Sequence, residues 1–192
     1  MIKSVLFDFF GVLHPDTFWG LADIFVPERD SARKRALGDL LIRVDLGQIS
    51  RDDFWNEAAH EFGISIEKLM SEKDKLGHVD QSLMQTVKSL KDRGLKTGII
   101  SNVGPGFIEK AFDKDILNSH FDVLVLSGEE GVMKPDKKIY EIAADRLGLK
   151  PEQCLFFDDV ERNVEGARNA GMQAELYDGI ESCKVVLKAA GL

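Results

Sequence analysis

Cysteine is scarce in this sequence. The only two cysteines, Cys154 and Cys183, stand far apart and form no Cys-x-x-Cys pair. This spacing argues against a disulfide framework and against a zinc site built from cysteines. A reducing cytoplasm is therefore the expected compartment.

Basic residues are also in short supply. The 25 lysines and arginines stand against 33 aspartates and glutamates, so the formal net charge is −8. A protein that wraps nucleic acid needs a basic surface to neutralise the phosphates. We therefore expect no nucleic-acid partner.

Long hydrophobic runs are absent. The opening run Val5-Leu6-Phe7 is cut by Asp8, and it is far shorter than the apolar region of a signal peptide or a membrane span. We expect no membrane partner, and a chain that functions as a monomer or a homodimer.

Short apolar runs that end in polar or small residues are what the sequence does contain. Each run after the first follows a helical stretch, and Gly94, Gly148 and Gly171 stand where three of these helices are expected to end. This alternation predicts an α/β fold, with a Rossmann-like parallel sheet and helices on both faces. The predicted strands cover residues 2–8, 95–100, 123–126, 154–157 and 173–177.

A long stretch of different character follows the first predicted strand. It carries apolar residues at helical spacing, and Ser50 with Asp53 resembles a capping box. We interpret residues 15–79 as an all-helical insertion into an α/β domain formed by residues 1–14 and 80–192. The helical segments are predicted at 31–46, 50–62 and 65–76.

Polar side chains stand where the predicted strands end. In open α/β sheets, ligands bind at that edge of the sheet, where the strand order switches. Carboxylates that follow two neighbouring strands would lie close together, which is unfavourable unless a cation or a proton is shared. Mg²⁺ is an abundant cation that prefers oxygen ligands, and Lys134 could offset the remaining negative charge. The strand-end residues are Asp8, Ser101, Asn102, Ser127, Gly128, Asp158 and Asp159.

Four motifs in the sequence resemble those of the haloacid dehalogenase (HAD) superfamily, in that family's order and spacing. The helical insertion after the first motif looks like the helical cap domain of that family. Residues 131–140 and 157–167 look like the branch that contains small bacterial sugar-phosphate phosphatases and the N-terminal domains of epoxide hydrolases. The motifs are Phe7-Asp8-Phe9-Phe10-Gly11-Val12-Leu13, Ile100-Ser101-Asn102, Lys134-Pro135-Asp136 and Phe156-Phe157-Asp158-Asp159.

The resemblance implies a Mg²⁺-dependent phosphatase that acts on a small phosphorylated metabolite, with sugar phosphates as one candidate class. Asp8 would be the nucleophile that forms an aspartyl-phosphate, and Lys134 would neutralise developing charge. Phosphoryl oxygens would be held by Ser101, the Asn102 amide and Gly11. The resemblance assigns the metal to Asp8, the carbonyl of Phe10 and Asp159, with Asp158 as a second acid beside them.

Phe10 departs from the family pattern. Most phosphatases of the superfamily have an Asp two residues after the nucleophile, which protonates the leaving oxygen and later activates water. Phe can do neither, so we expect slower turnover and a preference for leaving groups of low pKa. His14 and Asp16 lie just beyond the turn and are candidate substitutes.

Two other functions are compatible with the sequence. A haloacid dehalogenase has an aromatic residue two positions after its nucleophile, as here, but it needs no metal and gains nothing from Asp158 and Asp159. A catalytically weak phosphate-binding or interaction module is favoured by Phe10. The joint presence of Asp8, Ser101, Lys134 and Asp159 counts against that module.

Overall fold

Five parallel strands form one sheet. The computed structural model describes residues 1–192, and it confirms the predicted α/β class. The strands are arranged in the order β3-β2-β1-β4-β5, so the chain moves outward from β1 on one side and then returns to fill the other. The switch in strand order lies between β1 and β4. The strands are Ser4–Phe7 (β1), Lys96–Ser101 (β2), Val123–Leu126 (β3), Cys154–Asp158 (β4) and Gln173–Leu176 (β5).

Four helices and no strand occupy the segment that follows β1. Their apolar faces form a buried cluster around Phe18, Leu37, Phe54 and Leu69, distinct from the clusters on the sheet. The N-terminus of the third helix is capped by Ser50 Oγ, which accepts a hydrogen bond from the main-chain N–H of Asp53. The helices are Thr17–Phe25 (α1), Ser31–Asp45 (α2), Arg51–Phe62 (α3) and Ile66–Lys75 (α4).

The first of these helices was not predicted. Its sequence, from Thr17 to Phe25, is mostly apolar, with Asp23 as its single charged residue. A short apolar run of this kind does not by itself distinguish a helix from a buried strand. Asp16 supplies the start signal, because its side chain accepts hydrogen bonds from the main-chain N–H groups of Phe18 and Trp19.

The remaining helices cover both faces of the sheet. Alternate side chains of β1 point to opposite faces, so Val5 and Phe7 belong to one buried cluster and Leu6 to the other. No helix has the length and hydrophobicity that a membrane crossing requires. The helices are Gln81–Asp92 (α5), Ile108–Ala111 (α6), Lys114–His120 (α7), Ser127–Glu130 (α8), Lys137–Leu147 (α9), Glu161–Asn169 (α10) and Ile180–Ala189 (α11).

Candidate active site

Asp8 and Asp158 meet at the switch point of the sheet. The strands β1 and β4 are paired with Phe7 beside Phe157, and the main-chain N–H of Asp8 donates to the Phe157 carbonyl at 2.8 Å. The two acids are therefore carried to the same place by neighbouring parallel strands. Both carboxylates are buried, and both contact the same cation.

That cation is Lys134, whose Nζ lies 2.7 Å from Asp8 Oδ2 and 2.5 Å from Asp158 Oδ2. The side chain is only 1% exposed. Burial alone would lower the pKa of Lys134, but the Coulomb attraction of the two carboxylates outweighs it and raises the pKa above its ordinary value. The ammonium group is therefore charged.

Asn102 holds the main chain of Lys134 in place. Asn102 Oδ1 accepts a hydrogen bond from the Lys134 N–H at 2.7 Å, and Asn102 Nδ2 donates to the Lys134 carbonyl at 3.0 Å. These two hydrogen bonds use both the oxygen and the nitrogen of the Asn102 side-chain amide. The group left for the predicted phosphate contact is the main-chain N–H of Asn102.

Asp158 accepts several hydrogen bonds from the surrounding protein. Its oxygens accept hydrogen bonds from the main-chain N–H of Val160 at 2.9 Å and from Asn163 Nδ2 at 3.0 and 3.2 Å, in addition to the contact with Lys134. The residue is completely buried. Asp158 is therefore bonded to three protein neighbours, namely Lys134, Val160 and Asn163.

Asp159 points instead toward the turn after β1. Its carboxylate lies over Gly11, where a Cβ atom would come within 2.1 Å of Asp159 Oδ2. Gly11 also has a φ of +84°, a conformation that side chains rarely adopt. The turn is thus shaped so that Asp159 can approach the main chain next to Asp8 and Phe10.

These three carboxylates suit a divalent cation. Ligand atoms from Asp8, Asp158 and Asp159 lie within 4.8 Å of one another, and Lys134 is the only ammonium between them. Burial raises the pKa of Asp8 to about 7, and the nearby Asp158 adds to this effect against the attraction of Lys134. A hard cation with oxygen ligands would favour the ionised carboxylates and offset the excess negative charge.

Ser101 ends β2 on the other side of β1. Its Oγ is buried and lies near Asp8, but it makes no hydrogen bond of normal geometry in the protein. Burying a hydroxyl without a partner is unfavourable, so such a group is available to a ligand.

A cavity of about 270 Å³ lies above these residues, between the sheet edge and helices α1–α3. Asp8, Asn102, Lys134 and Asp159 form its polar floor, and aromatic side chains form much of its wall. His14 does not reach it, because His14 lines a separate cavity on the other side of Phe10. The aromatic wall residues are Phe10, Phe18, Trp19, Phe54, Trp55 and Phe107.

Comparison with known proteins identifies the family. The sequence model of the haloacid dehalogenase-like hydrolase family matches residues 2–171 of this chain. The chain belongs to this family. It is therefore a haloacid dehalogenase-like hydrolase, and the resemblance inferred from the four motifs is confirmed.

Relatives of this haloacid dehalogenase-like hydrolase include phosphatases. A glyceraldehyde 3-phosphate phosphatase from Methanothermobacter thermautotrophicus is 38% identical over 97 residues, covering 48% of this chain and 42% of that protein. The bifunctional epoxide hydrolase 2 of Rattus norvegicus is 30% identical over 115 residues, covering 56% of this chain and 20% of that protein. The chain thus spans less than half the length of these relatives.

A solved structure shares the fold of this haloacid dehalogenase-like hydrolase. A HAD family enzyme from Bacteroides thetaiotaomicron, in complex with magnesium and inorganic phosphate, has a TM-score of 0.70 and 19% identity. The match covers 92% of this chain and 94% of that one.

Two features of the site were missed by the sequence analysis. The reciprocal pairing of Asn102 with Lys134 had no signal, because it depends on a loop meeting a strand end. Asp45, at the end of α2, lines the cavity and is buried. It lies in a helical segment whose pattern gave no reason to separate it from surface acids.

Proposed function

We propose that this hydrolase is a Mg²⁺-dependent phosphatase that acts on a small phosphorylated metabolite through an aspartyl-phosphate on Asp8. The observation that carries the proposal is the placement of Asp8 between a buried ammonium group, Lys134, and the carboxylate of Asp159. A nucleophile in this setting is suited to an anionic substrate. The phosphatases among the relatives support the reaction class.

Each site residue has a role in this proposal. The Asp8 carboxylate attacks phosphorus, and Lys134 offsets the charge of the phosphoryl oxygens. Those oxygens are held by Ser101 Oγ and by main-chain N–H groups at Asn102 and Gly11.

The residues that would hold Mg²⁺ are Asp8, the carbonyl of Phe10 and Asp159, with Asp158 orienting the group from its buried position. When bound, the ion neutralises charge on the transferred phosphoryl group. The magnesium in the Bacteroides thetaiotaomicron enzyme supports this choice of metal.

Residues 15–79 are proposed to form a cap domain over an α/β core of residues 1–14 and 80–192. Helices α1–α3 and the sheet edge enclose the cavity together. Closure of this kind removes water and strengthens electrostatic interactions in the site. A cavity of about 270 Å³ is suited to a small metabolite, of which sugar phosphates are one class.

A chelator distinguishes this proposal from the two alternatives. Release of phosphate from an aryl phosphate should stop in EDTA and return with excess Mg²⁺. A dehalogenase would release halide from a 2-haloacid, and EDTA would not affect it. A catalytically weak binding module would bind phosphate and release neither product above background.

We predict that Asp159→Asn weakens Mg²⁺ binding more than Asp158→Asn does. Asp159 reaches the turn beside Asp8, whereas Asp158 is already bonded to Lys134, Val160 and Asn163. Loss of an orienting group typically costs ~10–100-fold in metal affinity, and loss of a direct ligand should exceed that range. Calorimetric titration of the two variants with Mg²⁺ gives the order. The reverse order would make Asp158 the direct ligand.

A further inference from the structure

Asp45 is a buried acid without a partner. It is the last residue of α2, its exposure is 7%, and its side chain makes no hydrogen bond. Asp is seldom buried without pairing. The carboxyl oxygens keep some accessible surface in the cavity that the residue lines, so a ligand bound there can reach them.

The position of Asp45 relative to the sheet is fixed by its main chain. Its carbonyl accepts a hydrogen bond from Ser127 Oγ, at the end of β3. The neighbouring Val44 carbonyl lies so close to Gly104 that a Cβ there would come within 2.4 Å of it. The end of α2 thus rests on the loop that follows β2 and on the start of α8, and Asp45 lines the same cavity as Asp8.

Asp45 faces an acidic environment. Burial raises its pKa well above the ordinary value, Asp8 and Asp16 add to this effect, and Lys134 opposes it. This shift favours the protonated form of the carboxyl group, which is the form that can donate a proton. The other charged residues that line the same cavity are Asp159 and Arg162.

The two substitutes suggested by the sequence are less suited to proton transfer. His14 lines the separate cavity, its Nδ1 is bonded to the Pro15 carbonyl, and burial lowers its pKa. Asp16 Oδ1 is occupied by the N–H groups of Phe18 and Trp19. Asp45 has neither constraint.

We propose that Asp45 is the acid–base residue of the reaction, supplied by the helical segment in place of the carboxyl group that Phe10 lacks. The inference rests on the phosphatase function proposed above. It replaces the sequence-based expectation that the leaving group departs without a proton.

The proton balance of both steps is satisfied by one carboxyl group. In the first step Asp8 attacks phosphorus, the bond from phosphorus to the leaving oxygen breaks, and Asp45 gives its proton to that oxygen. In the second step the Asp45 carboxylate takes a proton from water, and the water oxygen attacks phosphorus as the bond to Asp8 breaks. Phosphate leaves, and Asp45 is protonated again.

The test compares wild type with Asp45→Asn over a series of phosphate monoesters whose leaving groups differ in pKa. Wild type should show a shallow dependence of log kcat/KM on leaving-group pKa. The variant should show a steep one, with ~10²–10⁴-fold loss for alkyl esters and little change for aryl esters. Asp39→Asn makes the same chemical change at an exposed position of α2 and should match wild type.

A second signature comes from the aryl ester alone. Asp45→Asn removes the base for the second step, so kcat should fall while kcat/KM is nearly unchanged, and a burst of product should precede the steady state. If Asp45 had a purely structural role, its replacement would not lower kcat while leaving kcat/KM nearly unchanged.

The raised pKa of Asp45 has a readout that is independent of activity. A carboxyl group whose pKa is higher in the folded than in the unfolded protein makes folding less favourable as pH rises between the two values. The excess stability of Asp45→Asn over wild type should therefore be small near pH ~4 and grow toward pH ~8. Thermal unfolding at both pH values measures it, with Asp39→Asn as the control.

Three outcomes would overturn the inference. The first is an equal loss for all leaving groups in a folded Asp45→Asn sample. The second is a steep dependence that is already present in wild type. The third is a slope that steepens in Asp16→Asn and not in Asp45→Asn. Failure of wild type to release phosphate from any monoester would instead refute the proposed function.

Discussion

Asp8→Asn should abolish turnover and leave the fold intact. The amide has nearly the shape of the carboxylate but cannot act as a nucleophile, so kcat should fall by ~10⁴-fold or more. Lys134 keeps its contact with Asp158 in this variant, so no buried charge is left without a partner. Phosphate release under saturating Mg²⁺ measures the effect, and circular dichroism checks the fold.

The control for this variant is Asp92→Asn. Asp92 is exposed at the end of α5, which leads to the start of β2 and therefore lies at the opposite edge of the sheet. It should have wild-type activity. Substantial turnover by a pure, folded Asp8→Asn sample would show that another group attacks phosphorus.

Lys134→Met should destabilise the protein strongly as well as inactivate it. The side chain is buried, and its removal leaves the carboxylates of Asp8 and Asp158 without their shared cation. Breaking a buried ion pair in this way typically costs ~3–5 kcal/mol. Urea unfolding in EDTA, where no metal can substitute for the ammonium group, gives the free energy of unfolding.

Lys137→Met is the matched control. Lys137 begins α9 only three residues later, its side chain is 69% exposed, and its ion pair with Glu141 spans 3.6 Å. Exposed pairs contribute ~0–1 kcal/mol, so this variant should unfold close to wild type. A loss of similar size in both variants would show that the burial of Lys134 has no special energetic role.

The sheet and its polar edge could be predicted because both depend on short-range patterns. Mostly apolar runs of four to seven residues indicated all five strands, and Asp8 and Asp158 each stand at the end of one. Parallel strands carry their C-terminal ends to one edge, so the two acids meet there once β1 and β4 are neighbours. The sequence could not establish that neighbour relation by itself, because strand order depends on how the crossover helices pack.

Contacts between distant segments could not be predicted. Asp45 is brought to the cavity because the end of α2 packs against the loop that follows β2 and against the start of α8, where Ser127 bonds to the main chain of Asp45. The local sequence pattern around Asp45 does not predict that packing. Similarly, the two hydrogen bonds between the Asn102 side chain and the main chain of Lys134 join a strand end to a distant loop, and no local pattern indicates them.

The stereochemical course at phosphorus tests the central claim most directly. An isotopically chiral phosphate monoester should be hydrolysed with retention of configuration, because attack by Asp8 and then by water each inverts the phosphorus centre. This result does not depend on how long the aspartyl-phosphate survives. Net inversion would mean that water attacks the substrate directly and that Asp8 forms no covalent intermediate, which would contradict the account.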